Sequence, residues 1–360
     1  MKKITFALFV VSLCILFSCS TEDTSSEENP ENPILSEKTY VPDDVFENYL
    51  MNTRNIEEES KEAMDDVMDN YVLTSRIQSV KRLDLSYQGP SDFDDYLFDL
   101  TGIEDFVNLE YLDISSNKVS KRFDLSKLTN LKVLKVSSNQ LEKLDVSKNV
   151  KLEILEMLGN KISSLNLLNN SALTNLLAHK NNLTELDLSN NVELIMFDLE
   201  QNHFTTIDLS NNANLVRIDV SNNNLSQIDF SNNEKLESIY CFQNQIKSLD
   251  FKNNPNLTHL LCGNNPLESI NITKNPQLET LSIYDTYITS LDLPNPSNLR
   301  SIICSNTNLS SLDLSQTDKL NFLVVTENDD LNCIKIDPQI YWNELEVEKD
   351  DHTEISIDCN

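Results

Sequence analysis

From Leu131 to Leu320 a leucine recurs at every twenty-first residue, at 131, 152, 173, 194, 215, 236, 257, 278, 299 and 320, without a slip. Ten starts in register cannot be chance. A fixed period of this size restricts the chain to a repeat architecture, in which each unit buries its apolar side only by stacking on its neighbours. An eleventh start, Leu109, lies 22 residues before Leu131, with the extra residue near Arg122. A chain of 360 residues could otherwise hold two or three ordinary domains. The period turns that length into one elongated body.

Each unit divides into two halves, LxxLxxxxNx and LxxLDLSxNxx, as in LTELDLSNN (183–191) followed by VELIMFDLEQNHF (192–204). In both halves the apolar residues fall at the first, fourth and sixth places. That spacing predicts a short strand in each half, with the fourth and sixth residues inward and the third, fifth and seventh outward. Asparagine at the ninth place of the first half (Asn117, Asn139, Asn160, Asn181, Asn202, Asn223, Asn244, Asn265) can turn its amide onto the backbone of the next coil. Thr286 and Thr307 replace it in two units and weaken the ladder there. With only four glycines in the chain, asparagine is expected to supply most of the turns.

These units identify a leucine-rich-repeat solenoid, and the paired-strand form with 21 residues resembles the internalin-like surface proteins of bacteria. The resemblance covers residues 40 to 360. It implies stacked short parallel β-strands with few helices, a short helical N-terminal cap and a C-terminal cap. The front cap and first irregular repeat fall at 40–108, the repeats at 109–330 and the back cap at 331–360. In the front cap Val45, Phe46, Tyr49 and Leu50 have helical spacing behind a capping Asp43. The back cap leaves the period and carries the single tryptophan, Trp342.

The amino end, MKKITFALFVVSLCILFSCS, has two lysines, an apolar run from Ile4 to Phe17, and Ser18 before Cys19. The run is shorter than a membrane span needs, so residues 1–18 read as a signal peptide. Leu16-Phe17-Ser18-Cys19 resembles the lipobox of bacterial lipoproteins, which implies a lipidated Cys19 and a membrane contact through that anchor alone. Residues 19–39 are acidic, rich in Ser, Asn and Pro, and poor in apolar groups; they read as a disordered tether. An acidic stretch behind the lipidated cysteine resembles surface-export signals of some Gram-negative bacteria, which points to an outer-membrane lipoprotein exposed on the cell surface. A plain solvated linker fits the same residues. The formal charge of −30 repels nucleic acid and anionic lipid surfaces, so neither is expected as a partner.

Of seven cysteines, Cys241, Cys262 and Cys304 take the sixth place of their units and should act as small buried apolar residues. Cys333 and Cys359 bracket the back cap of an exported chain and are expected to form a disulfide. The four histidines lie on different units outside hydrolase or metalloprotease motifs, and no phosphate loop is present. The sequence therefore predicts no enzyme, no cofactor and no metal centre. The LDLS aspartates (Asp145, Asp187, Asp208, Asp229, Asp250, Asp292, Asp313) form an acidic row that either collects calcium or is a solvated strip recurring with the fold.

The resemblance assigns the concave face to the first half of each unit. There the strands from Ser238 to Ile303 present Tyr240, Phe242, His259, Leu261, Tyr284 and Ile303, an aromatic and apolar run suited to a protein hot spot or to stacking on a sugar ring. Two functions remain open from sequence. One is a monomeric surface adhesin or capture protein that takes a protein or glycan on this face. The other is a scaffold or spacer lipoprotein whose faces are merely solvated.

Overall fold

The computed structural model describes residues 37–51, 67–87, 96–337 and 345–359. The signal segment, Cys19, nearly all of the tether, and Trp342 lie outside the described residues. Among them, thirteen strands form one long sheet, from Arg82–Asp84 through Tyr111–Asp113, Val133–Lys135 and their successors to Phe322–Val325 and Glu346–Lys349. Every neighbouring pair in it is parallel, and the register advances by one repeat at a time: Leu134 pairs with Leu155, Leu155 with Leu176, and Ile239 with Leu260. The first half of each unit supplies these strands. Their middle residue points inward and is fully buried, as in Leu112, Leu155, Phe197 and Ile218.

The interior is a column of Leu, Ile, Val and Phe side chains, each contributing roughly 1.5–3 kcal/mol on leaving water. Phe230 and Phe251 stack in it with ring centroids 5.8 Å apart. Because each coil rests on the one before, the hydrophobic stabilisation comes from contact between units rather than from any one of them.

The second halves depart from the expected pattern of one strand per half. Among the described residues they pair as strands only at Ser248–Asp250 with Ser269–Asn271, and at Leu312–Leu314 with Cys333–Ile336 and Glu354–Ser356. The fourth-place residues Leu144, Leu165, Leu186, Ile207 and Ile228 are half-buried at the edge of the core. The LDLS aspartate acts here: Asp145, Asp187 and Asp208 each accept, through Oδ1, the N–H two residues on, at 3.1, 2.9 and 2.9 Å. A side chain that takes a backbone donor cuts the extended segment short. The acidic row is thus a row of turn-forming side chains.

Two asparagine ladders run along the stack. At the ninth place of the first half, Asn202 donates its amide to the carbonyls of Ala178 and Leu199, both at 3.0 Å, and accepts the N–H of Leu183 at 3.0 Å. In the second half a further row, Asn149, Asn170, Asn191, Asn212, Asn233, Asn254 and Asn275, is fully buried. Asn191 donates to Leu167 at 3.1 Å and to Asn170 at 2.8 Å. The turn itself is not made by the ladder asparagines. The left-handed residue is the eighth, and it is Lys180, Gln201, Asn222, Gln243, Asn264 and Asp285 in successive coils, at φ of 52–57°. The ladder supports backbone conformations that side chains other than glycine and asparagine ordinarily avoid.

The front cap begins inside the expected tether. Lys38–Tyr40 pairs antiparallel with Tyr71–Leu73, and Thr39 is buried with its hydroxyl 2.9 Å from that of Thr74 and 2.8 Å from Asp105. The ordered body therefore starts ahead of residue 40, because these polar contacts and the strand pairing fix Lys38 and Thr39. The helix Asp44–Met51 follows, with Asp43 Oδ1 accepting the N–H of Val45 and Phe46 at 3.0 and 3.1 Å. Asp43 Oδ2 accepts the N–H of Phe98 and Asp99, each at 3.0 Å, so one carboxylate caps the helix and ties it to the solenoid. At the back, Cys333 and Cys359 are joined by a disulfide with Cα atoms 5.9 Å apart. Although this tail loses the sequence period, Glu346–Lys349 still extends the long sheet in parallel.

Candidate functional site on the long sheet

The strand register arranges the outward side chains into rows along the stack. One row reads Asp84, Asp113, Lys135, Glu156, Leu177, Asp198, Asp219, Tyr240, Leu261, Ser282, Ile303 and Val324. Its front part carries paired charges, with Lys135 3.0 Å from Glu156. Beside it, Arg82 lies 3.4 Å above the Tyr111 ring.

The middle of the sheet is acidic. Asp198 and Asp219 are neighbours in register, and Glu200 holds Asn222 at 3.0 Å. His179 Nδ1 meets Asp198 at 2.9 Å. Burial raises Asp219 from the usual 3.8 to about 6, against the hydrogen bonds from Ser221, and the charges of Asp198 and Glu200 push the same way. The folded chain thus holds this proton more tightly than the unfolded one. Its contribution to stability is complete below about pH 4 and is lost as pH rises through about 6. Asp219→Asn, which keeps an oxygen for the N–H of Ser221, should stabilise the fold at pH 8 by up to about 3 kcal/mol and leave it nearly unchanged at pH 4. Urea unfolding at both pH values checks this; equal shifts at the two would refute it.

Past Asp219 the face turns aromatic and apolar. Tyr240, His259, Leu261 and Ile303 stand half-buried on the outward side of consecutive strands, and Phe242 and Tyr284, each two residues past the end of a strand, are half-buried too. Tyr240, Leu261 and Ile303 share one row, and the Ser282 between them is small and buried. His259 belongs to the adjoining row, between Ser238 and Thr280, with Nδ1 2.9 Å from the Thr258 hydroxyl.

Two neighbours complete the patch that the sequence pattern does not reveal. Arg217 sits 5.0 Å above the Tyr240 ring and links the acidic middle to the aromatic end. Gly263 lies beneath Tyr284, where an added Cβ would come within 2.5 Å of the ring and 2.8 Å of the Tyr284 carbonyl. Only glycine lets that ring lie down on the backbone. Gly263→Ala is expected to lift Tyr284 off the sheet, seen as a changed Tyr284 ring environment by NMR, to weaken partner binding about tenfold, and to lower the unfolding midpoint as well, because the Tyr284 carbonyl must also give way. An unmoved ring would contradict this.

The remaining candidates lie elsewhere. Cys241, Cys262 and Cys304 are free, fully buried thiols in the core. Contact with Cys262 and burial push the Cys241 thiol up, and burial pushes Cys304 up to about 12. These are inert packing groups. On the second-half side, cavities of about 390 and 410 Å³ open beside Phe123, Leu144 and Leu165, and beside Leu168 and Leu186.

Residues 107–149 match the family model for leucine-rich repeats in two copies. Among solved structures, the chain is similar to the functional domain of InlJ from Listeria monocytogenes, with 28% identity over 89% of this chain and 72% of that one, at a TM-score of 0.72. That domain includes a cysteine ladder. An internalin of the same organism, inlF, is 19% identical over 89% of this chain and 96% of its own, at 0.62. A leucine-rich-repeat protein of Leptospira interrogans is 20% identical over 78% and 80%, also at 0.62. The last two share the fold alone. No curated protein sequence matches significantly. In its 21-residue repeat and its long parallel sheet the chain is a leucine-rich-repeat solenoid, and it is similar to the internalins.

Proposed function

We propose that this chain is a cell-surface capture protein that takes a protein partner on the exposed face of the long sheet and is held to the outer membrane by lipid on Cys19. The observation that carries the reading is the continuity of Tyr240, Phe242, Leu261, Tyr284 and Ile303 with the acidic middle formed by Asp198, Glu200 and Asp219. Half-buried aromatic rings beside charged groups are the composition of a hot spot with a polar margin. The matching partner presents apolar side chains next to lysine or arginine. The acidic middle steers it and the rings hold it. Gly263 leaves room for the Tyr284 ring to lie against the backbone, where it joins this surface. The likeness to internalins supports a binding role in general. The anchor rests on the signal-like amino end and the cysteine that follows it.

The test is a screen of purified residues 37–360 against immobilised extracellular-matrix proteins and glycans at low and high salt. Retention of a protein that weakens as salt rises supports the reading. Retention of glycans alone changes the class of ligand, and retention of nothing favours the spacer.

A further inference from the structure

Where threonine replaces the ladder asparagine, two backbone N–H groups lose their side-chain acceptor. In the intact coils the ninth-place asparagine accepts a backbone N–H from the coil before it: Asn244 from Leu225 at 2.9 Å, and Asn265 from Ile246 at 3.0 Å. The equivalent donors in the next two coils are Leu267 and Ile288, facing positions 286 and 307. Thr286 turns its hydroxyl to Ile283 within its own coil, at 2.9 Å, and Thr307 turns its own to Asn328, at 2.6 Å. Among the described residues neither Leu267 nor Ile288 has an acceptor for its N–H.

At this place a notch of about 370 Å³ runs along the edge, away from the sheet face, and Thr286 lines it. Gln245, Asn264 and Asn308 border it with exposed side-chain amides that make no bond within the described residues. Asp285 commits one oxygen to Asn306 at 2.6 Å and keeps the other. Tyr287 lines the notch and is 59% exposed, more than Tyr40 or Tyr71.

We propose that this notch is a second binding site, for a neutral saccharide whose ring stacks on Tyr287 while Gln245, Asn264, Asn308 and Asp285 hydrogen-bond its hydroxyls. The chemistry decides the class. A side-chain amide donates and accepts in one plane, which matches adjacent hydroxyls, and a tyrosine face matches the apolar face of a sugar ring. An anionic ligand would meet Asp285 and the −30 charge of the chain. A metal ion would find a single carboxylate in the lining. The proposal does not rest on protein capture by the long sheet, since none of the patch residues Tyr240, Phe242, Leu261, Tyr284 or Ile303 lines the notch.

The test is saturation-transfer NMR and calorimetry on the purified full chain with chitotriose, N-acetyllactosamine and maltotriose as probes. The expected result is binding of at least one probe, weakened at least tenfold by Tyr287→Ala and by Asn264→Ala/Asn308→Ala. It should be unchanged by Tyr240→Ala/Phe242→Ala/Tyr284→Ala. Tyr287 and Asn308 are exposed, so their replacement should leave the unfolding midpoint near that of the parent, whereas Asn264 holds a left-handed backbone and Asn264→Ala should lower it modestly; circular dichroism verifies that every variant folds at the assay temperature. No binding of any probe, binding indifferent to Tyr287→Ala, or loss of binding in the sheet-face variant would each overturn the proposal.

Discussion

Asn202→Ala is expected to lower the free energy of unfolding by about 2–4 kcal/mol, a large share of the stability of an ordinary domain. The side chain is buried, and its loss removes donors from the carbonyls of Ala178 and Leu199 and the acceptor from the N–H of Leu183. None of the three groups can reach water without opening the turn. The stranded Leu183 N–H alone costs about 1–3 kcal/mol. Asn202→Thr should cost less, because the chain itself tolerates threonine at 286 and 307, where the hydroxyl of Thr286 still serves Ile283. Urea unfolding compares the two variants. Hydrogen exchange should show opening confined to the coils on either side of Asn202, since each unit touches only its neighbours. A change below about 0.5 kcal/mol for the alanine variant would mean that water replaces the ladder at little cost.

The repeat made the fold legible because a leucine at every twenty-first position fixes both the height of each coil and the direction of its core side. The ninth-place asparagines were legible for the same reason: one residue type in register must do the same task in each coil. Periodicity does not report how far an apolar residue is covered. Leu144 and Leu134 both occupy fourth places, yet the first is half-buried and the second fully buried, since only the first-half strands run on through the whole sheet. The left-handed eighth place was hidden because Lys180, Gln201 and Gln243 are not residues that favour it, and the ladder beside them compensates. Lys38 and Thr39 sit in a polar stretch whose composition says tether. Thr39 is nevertheless ordered by contacts with Thr74 and Asp105, 35 and 66 residues away.

For the candidate site, the alternation within each first half was enough to gather Tyr240, Phe242, His259, Leu261, Tyr284 and Ile303 on one face. It could not show their partners. The contact of Arg217 with Tyr240 crosses from one coil to the next, and a lone Gly263 carries no sign of the ring above it. The raised Asp219 depends on burial by neighbouring coils, which no local pattern encodes. The notch at Tyr287 lies beside Thr286, one of the two threonines that stand in place of a ladder asparagine. The sequence displayed that substitution, and only the fold gives it a shape.

The aromatic patch sets the second large effect. Tyr240, Phe242 and Tyr284 are half-buried, so their removal leaves the column of buried leucines beneath them intact and should lower the unfolding midpoint without unfolding the chain at the assay temperature. Truncating hot-spot aromatic residues commonly costs about 2 kcal/mol or more each, and even two such losses amount to a weakening of roughly a thousandfold. The most direct measurement is therefore the affinity of the captured protein partner for the parent chain and for Tyr240→Ala/Phe242→Ala/Tyr284→Ala, with thermal unfolding of both. A fall in affinity of at least about a hundredfold, measured well below the unfolding midpoint of both proteins, is the predicted result. Affinity within twofold of the parent would contradict it, and with it the claim that the long sheet is the surface on which this protein binds.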